Sequence, residues 1–309
     1  MKTIKIILGL LMLSVCSLAQ QKPQYSLYYQ NNFILNPAIA GIEEYYDTKL
    51  SYRNQWLGIN GAPTTTYISS QGPLGDAEKS HAGAGFTMIE DKTGPTSQLT
   101  IDASYAYHIL VTKRLKIAFG LSGGVTQYSL ATNQLVLDQN FDPAVPRNSA
   151  SQLVPDLTAG VWIYSEQWYL GASVTQLLPS RVNFNTQDKN PLNALQMHEF
   201  LTFGYKFFLS DDFSITPSVM IKHVNPVPVS FDVNAKLQYK DIMWLGSSVR
   251  RGDGFSLSAG FYMSRTLNIS YAYDYTYSPL QQYTTGSHEI ILGIQIGNKT
   301  GVRCPKMNW

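Results

Sequence analysis

From Thr266 to Tyr277 the chain reads TLNISYAYDYTY, and every second residue is large and apolar or aromatic. Leu267, Ile269, Tyr271, Tyr273, Tyr275 and Tyr277 share one face of an extended strand. Asn268, Ser270, Ala272, Asp274 and Thr276 share the other. A period of two is the signature of a strand with unlike faces, because successive side chains of a pleated strand point to opposite sides. The pattern recurs in SFDVNAKLQY (230–239), FSLSAGFYM (255–263), EIILGIQI (289–296) and LTIDASYAYHI (99–109). It predicts that Asp232, Asn234, Lys236 and Asp274 face one way and Phe231, Val233, Tyr271 and Tyr273 the other.

About fourteen such segments are expected, near 46–56, 63–73, 80–90, 97–111, 114–130, 152–164, 167–177, 195–209, 212–224, 228–239, 242–251, 254–264, 266–277 and 287–297. Their lengths fit the roughly 9–11 residues of a tilted transmembrane strand. Very short turns fall near Thr112-Lys113, Ser165-Glu166, Ser210-Asp211, Lys240-Asp241 and Ser264-Arg265. Longer connections, 131–151, 178–194 and 278–286, lie between them. An all-β fold follows: a closed antiparallel transmembrane barrel of about fourteen strands, apolar outside and polar inside. An even strand number puts both chain ends on the periplasmic side. A soluble sandwich or propeller would also alternate, but its faces would not carry Tyr, Phe and Leu on nearly every strand. Trp56, Trp162, Trp168, Trp244 and the Tyr271–Tyr277 run lie near expected strand ends, as an aromatic girdle would.

The first nineteen residues have the form of a secretory signal peptide: Lys2 and Lys5, an apolar stretch from Ile6 to Val15, then Ser17-Leu18-Ala19. A lipoprotein reading through Cys16 is disfavoured by the bulky Val15. Removal of residues 1–19 leaves 21 basic and 21 acidic residues. No basic stripe points to nucleic acid, and Cys304 alone remains, so no internal disulfide framework forms. The expected organisation is a signal peptide (1–19), an N-terminal periplasmic or plug segment (20–45), the barrel (46–297) and a periplasmic tail (298–309).

No catalytic pattern emerges. AGAGF (82–86) lacks the third glycine and following helix of a dinucleotide loop. Glycines spaced by two in a strand mark close backbone approach, and GLSGGV (120–125) reads the same way. His81, His108, His198, His223 and His288 have no metal-ligand spacing. Asp102 and His108 lie about 20 Å apart along one strand. The expectation is no enzyme, no cofactor and no metal.

Before the first strand, Asn36-Pro37 reads as a helix N-cap followed by the residue preferred at the first helical position. NPAIAG is therefore one helical turn ended by Gly41. Arg53 and Gln55 then share the lumen face of the first strand, with Trp56 opposite them at the rim. The plain reading is a small plug inside or under the barrel, fixed by Arg53; a partner-docking surface is the alternative.

Residues 25–94 resemble the PorP/SprF family of type IX secretion system outer-membrane proteins. The resemblance rests on YYQNNFILNPAIAG (Asn36, Pro37, Ala38, Gly41), YRNQWLGINGAPTT (Arg53, Gln55, Trp56, Pro63), the third-strand AGAGF (Gly83, Gly85) and the turn DKTG expected at Asp91–Gly94. GSHEIILG (His288, Glu289) and RCP (Cys304, Pro305) near the C-terminus are similar to that family too. The resemblance implies an outer-membrane barrel that assists secretion or surface anchoring of cargo proteins with C-terminal sorting domains, gliding adhesins among them. It also implies contact with periplasmic components of the machine and with outer-membrane lipid. On this reading the tail and the NPAIAG turn face the machine, and the long loops and lumen face the cargo. The alternative is a channel for hydrophobic small molecules, since a turn headed by NPA also resembles the plug of fatty-acid-transport barrels.

Overall fold

The computed structural model describes residues 22–135, 148–182, 184, 194–240, 242–252 and 254–297. The wall begins with β1 (Tyr46–Asn54), β2 (Thr64–Leu74), β3 (His81–Thr93), β4 (Thr96–Thr112) and β5 (Leu115–Leu130). It continues through β6 (Ala150–Tyr164), β7 (Trp168–Thr175), β8 (His198–Tyr205), the two-residue β9 (Phe207–Phe208) and β10 (Phe213–Val224). It ends with β11 (Val227–Tyr239), β12 (Met243–Arg250), β13 (Gly254–Tyr262), β14 (Leu267–Thr276) and β15 (Ser287–Ile296).

Each strand pairs antiparallel with its neighbours in the chain, and β1 pairs with β15 from Tyr46↔Ile296 to Asn54↔His288. The sheet is thereby closed. The short β9 pairs with β10 beside β8, so the two form one wall position interrupted at Lys206, and the barrel has fourteen strands. Closure matters physically: it leaves the sheet no free edge strand, so wall backbone groups pair across the sheet, as hydrocarbon demands. The start of β1 and the end of β15 meet at one rim, here the near rim. The connections 55–63 and 277–286, the end of β5 and the start of β6, and the end of β7 and the start of β8 lie at the far rim.

The faces sort as the alternation requires. Asp232, Asn234 and Lys236 are buried inside, and Asp274 is mostly covered there. Phe231, Val233 and Tyr271 are exposed on the outer wall, together with Leu153, Leu245 and Leu257. A continuous apolar exterior of this kind is suited to lipid rather than water. Val233 is 54% exposed, and an arginine on a lipid face near the midplane costs about 2–4 kcal/mol. Val233→Arg should therefore lower the fraction of heat-modifiable, assembled barrel on gels, whereas Val233→Leu should not. Equal assembly would refute a lipid-facing position.

Three details differ from the sequence-based expectation. The strand pairing of β3 and β4 runs to Thr93↔Thr96, so Asp91, Lys92 and Thr93 are strand and the turn is Gly94-Pro95. Gly94 has φ +54 and donates its N–H to Gly61 O at 2.9 Å. Second, Trp162 and Trp244 are not girdle residues. They point into the lumen and are almost fully buried. Each fits because its cross-strand neighbour is a glycine: Gly171 lies against the Trp162 ring and Gly260 against Trp244. Third, β1 ends at Asn54, and Trp56 takes φ +52. Alternation no longer governs its direction, and it borders the same far-rim cavity as Gln55.

The hydrophobic core lies within the barrel, between the N-terminal segment and the inner wall. Tyr25, Leu27, Tyr28 and Tyr29 pack with Tyr67, Trp244, Tyr262 and Ile291. Phe33, Ala38, Ile39, Ala40 and Ile42 pack with Ala106, Ala118, Trp162, Tyr164 and Tyr169.

Candidate functional site

The site is the lumen, filled by residues 22–45. This segment carries three single-turn 3-10 helices, Tyr28–Gln30, Asn32–Ile34 and Pro37–Ile39. Gln24 borders the far-rim cavity, and Glu43 borders a cavity at the near rim with Lys113, Arg114 and Glu166. The segment thus threads the barrel from the far mouth down to the start of β1. It is neither beneath the barrel nor confined to the near side.

Its upper part is held by charge. Arg53 is 2% exposed. Its Nη2 lies 2.7 Å from Asp274 Oδ2 and its Nη1 3.3 Å from Glu289 Oε2. Arg53 Nη1 also donates to Ser26 Oγ at 2.6 Å, and Ser26 Oγ donates to Asp274 Oδ2 at 2.6 Å. The backbone N–H groups of Ser26 and Leu27 donate to Glu289 Oε2 at 2.6 and 3.3 Å. One plug serine is therefore clamped between a guanidinium from β1 and carboxylates from β14 and β15. A second clamp lies beside it. Arg250 pairs with Asp232 at 2.9 Å and donates to Tyr25 O and Gln24 Oε1. Neutral bonds continue along the segment: Asn234 Nδ2 donates to Tyr28 Oη at 2.8 Å, and Asn31 Nδ2 to Ser69 Oγ at 2.9 Å.

The lower part is held by shape. Asn36 Oδ1 accepts from Ala38 N–H at 3.0 Å, capping the Pro37–Ile39 turn, and Asn36 Nδ2 donates to Val161 O and Ala172 O. The cap is thus also a bolt into β6 and β7. Gly41, with φ +86, ends the turn and donates its N–H to Gln71 Oε1 at 2.6 Å. Wall glycines make the room. A Cβ on Gly83 would lie 1.9 Å from Ala40 O, one on Gly85 2.4 Å from the Phe33 ring, and one on Gly120 2.2 Å from Ala38 N. His81 and His108 are stacked at 4.5 Å, and their Nε2–H groups donate to Gly41 O and Ala40 O.

The residues singled out from the sequence fall into groups. Asn36, Pro37, Ala38, Gly41, Arg53, Gly83, Gly85 and Glu289 all meet at the plug–wall contact. Asp91 accepts from Thr65 at 2.6 Å on the inner wall, bordering a small cavity of about 50 Å³ beside the plug. Gln55, Trp56 and Pro63 shape the first far-rim loop, where Gln55 N–H donates to Pro63 O. Gly94 makes its turn nearby. His288 lies outside the lumen, its Nδ1 2.7 Å from Tyr271 Oη. Cys304 and Pro305 lie outside the described residues. The NPAIAG turn does not present a docking face: Asn36, Ala38 and Ala40 are buried in the lumen. Ser26, Asp274, His81 and His108 also belong to the contact. The histidines become cross-strand partners once the turn is placed at Gly94-Pro95. Among the described residues no cluster of His, Cys, Asp or Glu could hold a metal ion.

A closed barrel with an apolar exterior and a lumen stoppered by its own N-terminal segment is a plugged membrane barrel. Residues 17–294 match the family described as type IX secretion system membrane protein PorP/SprF, and the chain belongs to that family. No curated protein matches it. Among solved structures it is similar to the Ralstonia pickettii toluene transporter TbuX, at 12% identity and TM-score 0.50, covering 88% of this chain and 93% of that one. It is also similar to the CymD monoaromatic hydrocarbon channel, at 11% identity and TM-score 0.49, over 85% and 91% of the two chains. Likeness at this identity extends to the barrel fold.

Proposed function

We propose that this barrel resides in the outer membrane and assists the secretion or surface anchoring of specific cargo proteins, gliding adhesins among them. It does so together with periplasmic components of the type IX machine and without a catalytic role of its own. The observation that carries the reading is the family match over nearly the whole chain. The near rim, where β1 starts and β15 ends, then faces the periplasm, and the longer far-rim connections face outward, as in outer-membrane barrels generally.

The interior supports this reading over uptake of hydrophobic molecules. The lumen wall is rich in hydrogen-bonding groups, with Thr100, Ser104, Thr126, Asn234, Gln238 and Ser270 facing inward. The plug is bolted to several strands by charge and by shape. A solute path through such an interior would have to displace buried ion pairs.

Deletion of the gene tests the reading. Surface proteolysis followed by mass spectrometry should show loss of one or a few large surface proteins carrying C-terminal sorting domains. Toluene uptake should be unchanged. Normal surface proteins with reduced toluene uptake would overturn secretion in favour of transport.

A further inference from the structure

At the far rim a cavity of about 330 Å³ opens between β8, β10, β11, the end of β12 and the first loop. Its charged lining is basic, Lys222, Arg250 and Arg251, joined by the His198 imidazole, with no Asp or Glu among the described lining residues. Arg250 is occupied, being paired with Asp232 and Gln24. The others are not. The Lys222 ammonium lies 5.9 Å from the Phe200 ring centroid and has no ion pair among the described residues. His198 is 1% exposed, and neither ring nitrogen has a hydrogen-bond partner among the described residues. Buried polar groups are normally satisfied, and this imidazole, stacked on Phe200 at 6.4 Å, keeps both ring nitrogens available at the border of the cavity. His198 sits opposite Thr175 and Val224 in the wall, held by pairing on both sides, so its position is fixed by the barrel.

The rest of the lining narrows the ligand. Trp56, Pro226, Pro228 and Leu280 supply apolar surface next to the basic groups. Lys222, Ser230 and Arg250 stand at inward positions of their strands, in register with buried Met220, Asp232 and Ser248. The cavity therefore opens to the watery mouth and not to the lipid-facing wall. A bare inorganic anion would leave the apolar surface unused, and a lipid would approach from the other side of the wall. We propose that this cavity binds a carboxylate-bearing peptide segment, an acidic side chain entering toward His198, Lys222 and Arg251 with an adjoining apolar side chain against Trp56 and the two prolines. The inference rests on the export reading only for where such a peptide comes from: an exported chain at the far mouth.

The test uses the purified full-length barrel in detergent and isothermal titration with an acetylated, amidated peptide Ser-Phe-Glu-Asp-Gly. Its Ser-Phe-Gln-Asn-Gly counterpart and inorganic phosphate are the comparison probes. The acidic peptide should bind. Lys222→Gln and Arg251→Gln should each weaken it about tenfold, the loss expected of one charge-assisted contact. The uncharged peptide should be weaker by at least that factor, and Lys113→Gln at the opposite rim should change nothing. Arg251 is exposed, so its variant tests the site without endangering the fold. No binding of the acidic peptide, or equal binding by both cavity variants, would overturn the proposal. So would binding of the uncharged peptide as tight as that of the acidic one. Because binding is measured on purified protein, the outcome is independent of whether gene deletion removes cargo from the cell surface.

Discussion

Replacing Arg53 with methionine should unseat the upper half of the plug and destabilise the barrel by about 3–5 kcal/mol, the cost of removing one partner from a buried ion pair. The guanidinium touches Ser26, Asp274 and Glu289 together. Without it the Glu289 carboxylate, whose side chain is fully buried, faces Asp274 with no positive charge beside it. Like charges in a low-dielectric setting repel strongly, and the Ser26 and Leu27 N–H bonds to Glu289 would not offset that. Thermal unfolding in detergent should shift down. Chymotrypsin should cut at Tyr25, Tyr28 or Tyr29, which the seated plug protects. The double variant Arg53→Met/Glu289→Leu removes the stranded charge as well and should recover part of the loss. A single variant as stable and as protease-resistant as wild type would show that the clamp is not what holds the plug. A double variant worse than the single would show that Glu289 contributes chiefly through Ser26 and Leu27.

The wall was legible in the sequence because its signal is local. Fourteen alternating runs correspond to the wall strands within a few residues at each end, and strict alternation placed Asp232, Asn234 and Lys236 inside. The Asn36-Pro37 cap was legible for the same reason: N-cap chemistry needs only the next two residues. What stayed hidden depends on which strands touch. Trp162 and Trp244 look like girdle residues until their glycine partners across the sheet are known. His81 and His108 lie 27 positions apart and meet only because the turn falls at Gly94-Pro95 and not three residues earlier. The direction of the plug was hidden as well. A two-residue capping signal says that a turn forms, but only the pairs Ser26–Asp274 and Ala40–His108, read together, say which end of the barrel each part reaches. The far-rim cavity draws on β8, β10, β11, β12, five connections and Gln24 of the plug, so no stretch of sequence announces it.

Gly83→Val and Gly120→Val should each give an assembled but unplugged barrel. Neither glycine has a positive φ, so the strand backbone itself accepts an L-residue, and the obstacle is what lies opposite. That obstacle is backbone. A Cβ at Gly83 meets the Ala40 carbonyl at 1.9 and 2.5 Å, and one at Gly120 meets Ala38 N and Pro37 C at 2.2 and 2.4 Å. A flexible side chain could swing aside from such a contact. The Pro37–Ile39 turn cannot, because Asn36 is bonded to both β6 and β7 while Gly41 is bonded to Gln71. Overpacking a well-filled site costs about 1–3 kcal/mol where side chains yield, and a backbone clash lies at or above the top of that range. The wall is made by strand pairing that these changes do not touch, so the plug is the part that gives way. Heat-modifiable mobility should therefore persist. Chymotrypsin should gain access to residues 25–33, and single-channel conductance in planar bilayers should rise severalfold. Gly123→Val is the control on the same strand, since its Cβ meets only Leu157 Cδ1 at 3.9 Å and faces outward. It should assemble with wild-type conductance. If Gly120→Val conducts no more than Gly123→Val, the lower plug is held by something other than its fit against the wall glycines. If Gly83→Val fails to assemble at all, the plug is needed to build the barrel and not only to close it.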